Sequence, residues 1–476
     1  FPSLPRVRRR AGGQQQRSPT QRVVAMAVGA LVGVWGGPPS AAPLIPPRTA
    51  GRAVPLCWRC PTPSACSDAG AAFGASRPPL PLMALGAAAA AVAAGRLCAA
   101  WAPSSSSSSS SSRGARGPRK ARVALAASKS ILVVGGTGRV GGSALRWMQK
   151  LAKEEGLDDL RLAVGGRSRA NYEGFVRRWQ ERTADPPPAF VVCDHSDAAS
   201  VCAALAGGWD LVVHTAGPFQ GVRSASLLEG AIAAGVPYVD VCDDTDLCRI
   251  AKELEPQCQA AGVTALVSTG IWPGVSALMV AEAARRLGQA ERVEMSFYTA
   301  GTGGAGPTIV SATFLLLAEP PLVYEAGKEV RAEPWGERRL ADFGPGVGEQ
   351  FVHLLDEPEC YTCQRALGIP NIRSSFGTAP DIWNWLFAAV KLLPADILRN
   401  RGLMQAVANF SMPIIGAVDA LVGAKNAMRV DAFDAEGRQV TLRLTHSDLE
   451  DCVGLGTAAF AMEALQARVA PGVWFP

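Results

Sequence analysis

The sequence predicts an α/β chain: a doubly wound parallel sheet followed by a second, α+β domain. Three observations carry that expectation. From Ser130 to about residue 270, short aliphatic runs alternate with helical patterns every 20 to 35 residues, the rhythm of βαβ units. The first run breaks into five glycines, "ILVVGGTGRVGG", and resumes as a helix. After about residue 290 that rhythm stops, and longer strand patterns mix with helices.

The elements follow in order. "ILVVGG" reads as the first strand, and "GGSALRWMQKLAKEEG" as a helix with Ala144, Leu145, Met148 and Leu151 on one side. Strand runs then recur at "LRLAVGG", "AFVVCD", "WDLVVH", "PYVDV" and "TALVSTG". Helical runs lie between them, as a parallel sheet requires. In the second region "RVEMSFYTAG" reads as a strand, and "TIVSATFLLLAEPPLVYEAG" as a helix with a loop. "NAMRVDAFDAEGRQVTLRLTH" reads as two antiparallel strands joined at "AEG". "VGLGTAAFAMEALQARV" is a late helix before the apolar "PGVWFP". The expected divisions are a leader over 1–128, a nucleotide-binding domain over 129–285 and an α+β substrate or dimerisation domain over 286–450. A helix and tail over 451–476 would return toward the first domain.

Charge separates the leader from the rest. Residues 1–130 hold 17 of the 47 Lys and Arg and one of the 41 acids. The remainder therefore has 30 bases against 40 acids, a net charge of −10. A nucleic-acid partner is not expected from an acidic body. The leader contains Arg6, Arg8, Arg9 and Arg10 before "VVAMAVGALVGVW", then "LMALGAAAAAVAAG" and nine serines from Ser104 to Ser112. Both apolar runs are shorter than the roughly 20 residues of a comfortable membrane span. Their order matches a bipartite targeting leader, and the expected location is the plastid stroma.

Twelve cysteines include "CWRC" at 57–60 and "CYTC" at 360–363. Neither has a second matching pair, and no metal is expected. The other body cysteines read as packed thiols.

The glycine turn carries the chemistry. Gly136, Gly138 and Gly141 fit G-x-G-x-x-G after a strand and at a helix start, the pattern that lets backbone approach a pyrophosphate. The expected phosphate-side residues are Gly135, Gly136, Thr137, Gly138, Arg139 and Val140. A nucleotide with free ribose hydroxyls usually meets an acid at the end of the second strand. Here that place reads Arg167, Ser168 and Arg169, which favours a 2′-phosphate and hence NADP(H). Asp194 either bonds the adenine amine or starts a helix. Ala216, Gly217 and Pro218, after the fourth strand, border the cofactor's nicotinamide half. His214 reads as a packed strand residue.

These segments, with "HTAGPFQG", "AGVPYVDVCDD", "STGIWPGVS" and "PGVWFP", resemble the saccharopine dehydrogenase-like oxidoreductases, above all their plastid branch in plants and algae. The resemblance covers nearly all of 130–476, including "YTAGTGGAGPT" and "FGTAP". It implies a Rossmann-type NADP domain, a second domain closing the cleft, and hydride transfer at a C=N or C=C bond of a small metabolite. Authentic saccharopine chemistry would need a site for three carboxylates, and Arg365, Arg373, Arg429 and Arg443 are far apart in sequence.

Candidate catalytic residues are Asp243, Asp244, Tyr298 and His446. The turn "VCDDTD" lies at the end of the fifth strand, where its acids either serve a cationic amine, move protons or cap the next helix. Tyr298 precedes a glycine-rich loop, and His446 follows a late strand. "YEAGK" (Tyr324 to Lys328) lacks Tyr-x-x-x-Lys spacing, which keeps a non-catalytic NADP-binding scaffold as the alternative. "PDIWNWLFAAVKLLPADILRN" would suit a membrane surface, but burial between domains is the expectation, with no stable membrane insertion. A homodimer is the expected form of any self-association.

Overall fold

The computed structural model describes residues 128–157, 159–300 and 306–476. The expected leader, "CWRC" and most of the glycine-rich loop after Tyr298 lie outside them.

Seven parallel strands form the first sheet. They are β1 (Ser130–Val134), β2 (Arg161–Gly166), β3 (Ala189–Val192), β4 (Leu211–His214), β5 (Tyr238–Asp240), β6 (Thr264–Leu266) and β15 (Gly472–Trp474). Their order is β3-β2-β1-β4-β5-β6-β15. The chain moves outward from β1 in one direction and then, from β4, in the other. That reversal opens a crevice at the carboxyl ends of β1 and β4, the usual ligand position in such sheets. β1, β4, β5 and β6 are buried at every position, which is why they read as unbroken aliphatic runs.

Helices α1 (Arg139–Glu154), α2 (Arg169–Arg182), α3 (Ala198–Leu205), α4 (Ser226–Ala234), α5 (Thr245–Glu253), α6 (Glu255–Ala261) and α7 (Val275–Leu287) connect or follow these strands. Ala144, Leu145, Met148 and Leu151 of α1 are all buried, giving the expected apolar stripe.

The second sheet is mixed, with order β10-β11-β12-β7-β13-β14. Its strands are β7 (Arg292–Ala300), β10 (Arg339–Asp342), β11 (Glu349–Leu354), β12 (Asn371–Ala379), β13 (Lys425–Phe433) and β14 (Gln439–His446). A small hairpin, β8 (Leu322–Glu325) with β9 (Lys328–Arg331), pairs onto β12. Helices α8 (Pro307–Leu316), α9 (Glu359–Leu367), α10 (Ile382–Val390), α11 (Ala395–Leu398) and α12 (Arg401–Val422) accompany this sheet. Trp272 stacks on Phe297 of β7, with ring centroids 5.5 Å apart, joining the end of the first sheet to the second.

The last helix, α13 (Leu449–Leu465), lies across α1. At Gly454 a Cβ would sit 2.4 Å from Ser143 Oγ and 2.8 Å from the Ala144 nitrogen, so only glycine permits the crossing. Asp451 Oδ1 accepts from Ser143 Oγ at 3.1 Å and from Trp147 Nε1 at 2.9 Å.

One expectation is overturned. The segment from α10 to α12 is not buried between domains. Trp385 is 63% exposed, Leu392 79% and Phe410 81%. Trp383, Leu386 and Phe387 of α10, with Ser411 and Ile415 of α12, line a cavity. Ile382, Leu392, Phe410 and Leu421 of this segment stay exposed among the described residues. Among the described residues, Arg401–Leu421 is the one helix long and apolar enough to cross a membrane by length and composition.

Candidate active site

The glycine turn folds back on itself at the crevice. Gly138 N donates to Gly135 O at 2.9 Å, and Gly136 N to Val133 O at 3.1 Å. Gly135 has φ +85°, open to glycine at little cost. A Cβ there would fall 2.6 Å from the Ala216 nitrogen, and one at Gly141 would fall 2.6 Å from both Gly135 O and Thr215 Oγ1. The turn is thus pressed against the segment after β4, leaving the first-turn amides of α1 to face outward. These amides lack intrahelical acceptors by construction, and with the helix dipole they favour an anion.

Thr137 O accepts from Arg178 Nη2 of α2 at 2.8 Å, a cation beside the turn that no sequence motif marks. Arg139 Nε lies 2.5 Å from Glu450 Oε2 at the start of α13. Burial lifts the Glu450 carboxyl to about 7, although Arg139 pulls the other way.

At the end of β2, Arg167 is largely exposed, with its Nη1 4.0 Å from Asp194 Oδ2. Ser168 caps α2 by accepting from Asn171 N. The Arg169 guanidinium lies over Tyr172 and Phe190, 5.4 and 5.7 Å from the ring centroids. Asp194 accepts from Ser196 N and Ser196 Oγ, and Asp197 caps α3. Ala216, Gly217 and Pro218 follow β4, with a cis bond between the last two. Pro218 O accepts from Arg401 Nη2 of α12 at 2.6 Å, so the outer helix reaches the nucleotide crevice. Glycine cradle, anion-seeking helix start and the exposed Arg167 at the β2 end, loosely paired with Asp194, together fit an NADP phosphate set.

A cavity of about 150 Å³ opens where the carboxyl edge of the first sheet meets the second. Asp243, after β5, and Trp272, after β6, form one side. Thr299, Phe376, Phe387 and Leu355 contribute to the others. Among the described residues, no Lys or Arg lines it. Glu357, just past β11, also lines it. No motif announces this residue, which lies between Asp356 and Glu359 in a loop after β11.

The four candidate catalytic residues separate. Asp243 faces the cavity, its Oδ1 is buried without a partner, and burial pushes its carboxyl up to about 6. Asp244 caps α5, accepting from Leu247 N at 2.7 Å, and also accepts from Gly221 N. Tyr298 lies in a separate buried cluster, its ring tilted against Phe343 at 5.4 Å, and is not a lining residue of the cavity. Strand alternation explains this, since Thr299 beside it lines the cavity. His446 Nδ1 accepts from Asp448 N in the turn before α13 and is likewise absent from the lining. His214 is buried in β4 beside the Tyr238 hydroxyl, and burial pushes its ring down to about 3. Among the described residues no group of His, Cys, Asp or Glu is arranged to hold a metal ion. Cys360 and Cys363 are both buried free thiols of α9.

Residues 131–266 match the saccharopine dehydrogenase NADP binding domain. No curated protein matches the sequence. Among solved structures, apo saccharopine dehydrogenase (L-Glu forming) from Saccharomyces cerevisiae is similar at 14% identity and TM-score 0.47, covering 73% of this chain and 94% of that one. A meso-dapdh mutant with DAP from Clostridium tetani E88 is similar at 12% identity and TM-score 0.33, covering 73% and 93%. A myo-inositol-1-phosphate synthase-related protein from Thermotoga maritima is similar at 12% and 0.33, covering 72% and 89%. Likeness at this level extends to no residue or substrate.

Proposed function

From a chain whose residues 131–266 match the saccharopine dehydrogenase NADP binding domain, we propose an oxidoreductase that exchanges hydride with a C=N or C=C bond of a small, largely apolar metabolite. The observation that carries the reading is the cavity at the carboxyl edge of the first sheet, with Asp243 on the side of the nucleotide crevice.

Bound NADP(H) supplies or accepts hydride at nicotinamide C4. The glycine turn and the start of α1 would hold its pyrophosphate, and Arg167 with Arg169 its 2′-phosphate. Asp243 is placed to hold or take up a proton at its carboxyl. Its buried Oδ1 has no competing partner, and a value raised to about 6 suits proton exchange near neutrality. Aromatic and aliphatic walls exclude water and orient an apolar body. The lack of Lys and Arg in the lining speaks against a tricarboxylate such as saccharopine. The basic, acid-poor leader supports placing this activity in a plastid.

The test is fluorescence titration of the full chain with NADPH and NADH, followed by a screen of apolar imines and enones for NADPH oxidation. Tight NADPH binding without any turnover across the screen would favour the NADP-binding scaffold.

A second reading concerns the setting. The exposed apolar faces of α10 and α12 suit work at a lipid surface. Flotation with liposomes checks it, and recovery solely in the soluble fraction would remove it.

A further inference from the structure

We propose, resting on the oxidoreductase reading above, that the cavity selects a ligand with an apolar body and one protonated nitrogen, held between Asp243 and Glu357.

Glu357 is 4% exposed, lines the cavity, and its carboxylate has no hydrogen-bond partner among the described residues. A buried carboxyl left unmatched is costly unless something else completes it. Asp243 shares part of this deficit: Gln220 hydrogen-bonds to its carboxyl, but its Oδ1 is buried with no partner among the described residues. Both residues line the one cavity.

The surrounding charges sharpen the choice. Asp356 is already engaged, accepting from Thr245 Oγ1 at 3.0 Å and Leu322 N at 2.7 Å, with Arg331 3.5 Å away. Glu359 accepts from Ser276 Oγ at 2.6 Å, leaving its Oε2 unpartnered. Asp244 is used as a helix cap, and Asp240 is held by Tyr238, Cys242 and Ser268. Acids therefore gather behind Asp243 and Glu357, and no cation of the lining answers them. Burial, reinforced by the neighbouring acids, raises the Glu357 carboxyl well above the usual range. A ligand carboxylate would meet only like charge here. A protonated nitrogen would pair both carboxyls and bring them to their ionised forms.

The rest of the wall fixes the body of the ligand. Trp272, Phe314, Phe376 and Phe387 with Ile309 and Leu355 offer little to a polyhydroxylated or multiply charged molecule. Aromatic faces also tolerate a cation close by. The arrangement thus separates this ligand class from amino-acid and sugar substrates.

The experiment is calorimetric titration of the full chain, with NADP⁺ present, using octylammonium, octan-1-ol and octanoate. Octylammonium is expected to bind at least ten-fold more tightly than octanol, and octanoate more weakly than either. Glu357→Gln and Asp243→Asn should each weaken octylammonium at least ten-fold while leaving octanol unchanged. That contrast distinguishes the cavity from adsorption to the exposed faces of α10 and α12. Equal binding of octanoate, undiminished octylammonium binding in both variants, or binding of none of the three would overturn the proposal. NADPH titration of the same samples keeps the two readings apart. If NADPH binds and the amine preference fails, only the ligand class falls; if NADPH does not bind, the oxidoreductase reading falls with it.

Discussion

Arg139, in the first turn after the glycine loop, and Glu450, at the start of α13, meet at 2.5 Å. Two residues 311 positions apart thereby join the nucleotide turn to the helix that crosses it. Glu450 is 8% exposed, and burial raises its carboxyl to about 7. Arg139→Ala leaves that group to ionise alone as pH rises. The loss in melting temperature should be small at pH 5.5, where Glu450 is protonated, and larger at pH 8. Equal losses at both values would show that charge at this pair contributes nothing.

Close approach of α13 and α1 gives a second expectation. Gly454→Ala puts a methyl group 2.4 Å from Ser143 Oγ and 2.8 Å from backbone. Overpacking of this kind costs about 1–3 kcal/mol. Chemical denaturation should show a lowered midpoint, together with weaker NADPH binding as α1 shifts. A midpoint equal to wild type would mean the helices separate without penalty.

The two arginines after β2 should differ in effect. Arg167 is largely exposed and only loosely paired with Asp194 at 4.0 Å, whereas the Arg169 guanidinium is laid over Tyr172 and Phe190. Arg167→Ala should weaken NADPH about ten-fold, worth about 1.4 kcal/mol, and leave NADH unchanged. Arg169→Ala should have the smaller effect. Parallel titrations decide it, and equal weakening of both cofactors by Arg167→Ala would refute a 2′-phosphate role.

Buried acids should make the unliganded protein less stable as pH rises. Burial lifts Glu359 from 4.5 to about 7. A carboxyl with a raised folded value binds its proton more tightly in the folded state. Its stabilising contribution is therefore complete below about pH 4.5 and lost as pH climbs through 7. Glu359→Gln keeps an acceptor for Ser276 and removes the titration. The variant should match wild type near pH 4.5 and melt at a higher temperature at pH 8. A variant less stable than wild type at pH 8 would count against this account.

What the sequence revealed followed from burial. Strands β1, β4, β5 and β6 are buried at every position, so they stand out as aliphatic runs. The three-residue strand β15 is too short to show any period, and β9 is exposed at all four positions. Adjacent acids Asp243 and Asp244 are equivalent on paper. Only the start of α5 assigns one to a cap and leaves the other facing the cavity. Glu357 was not legible, because nothing in a linear pattern tells a buried loop acid from a solvated one. The apolar run from α10 to α12 misled for the converse reason. Hydropathy says a surface avoids water, but not whether the fold supplies a cover.

Strand β15 sets a schedule for making this molecule. The sheet that receives the nucleotide is begun by Ser130 and finished by Trp474, which pairs with Leu266 of β6. Lys252 also reaches back to Val473 O at 2.6 Å. A chain still emerging from the ribosome can assemble six strands, yet the free edge of β6 must wait some two hundred residues for its neighbour. The nucleotide domain is thus the first to start and the last to close, and its completion reports that synthesis has passed the second domain intact.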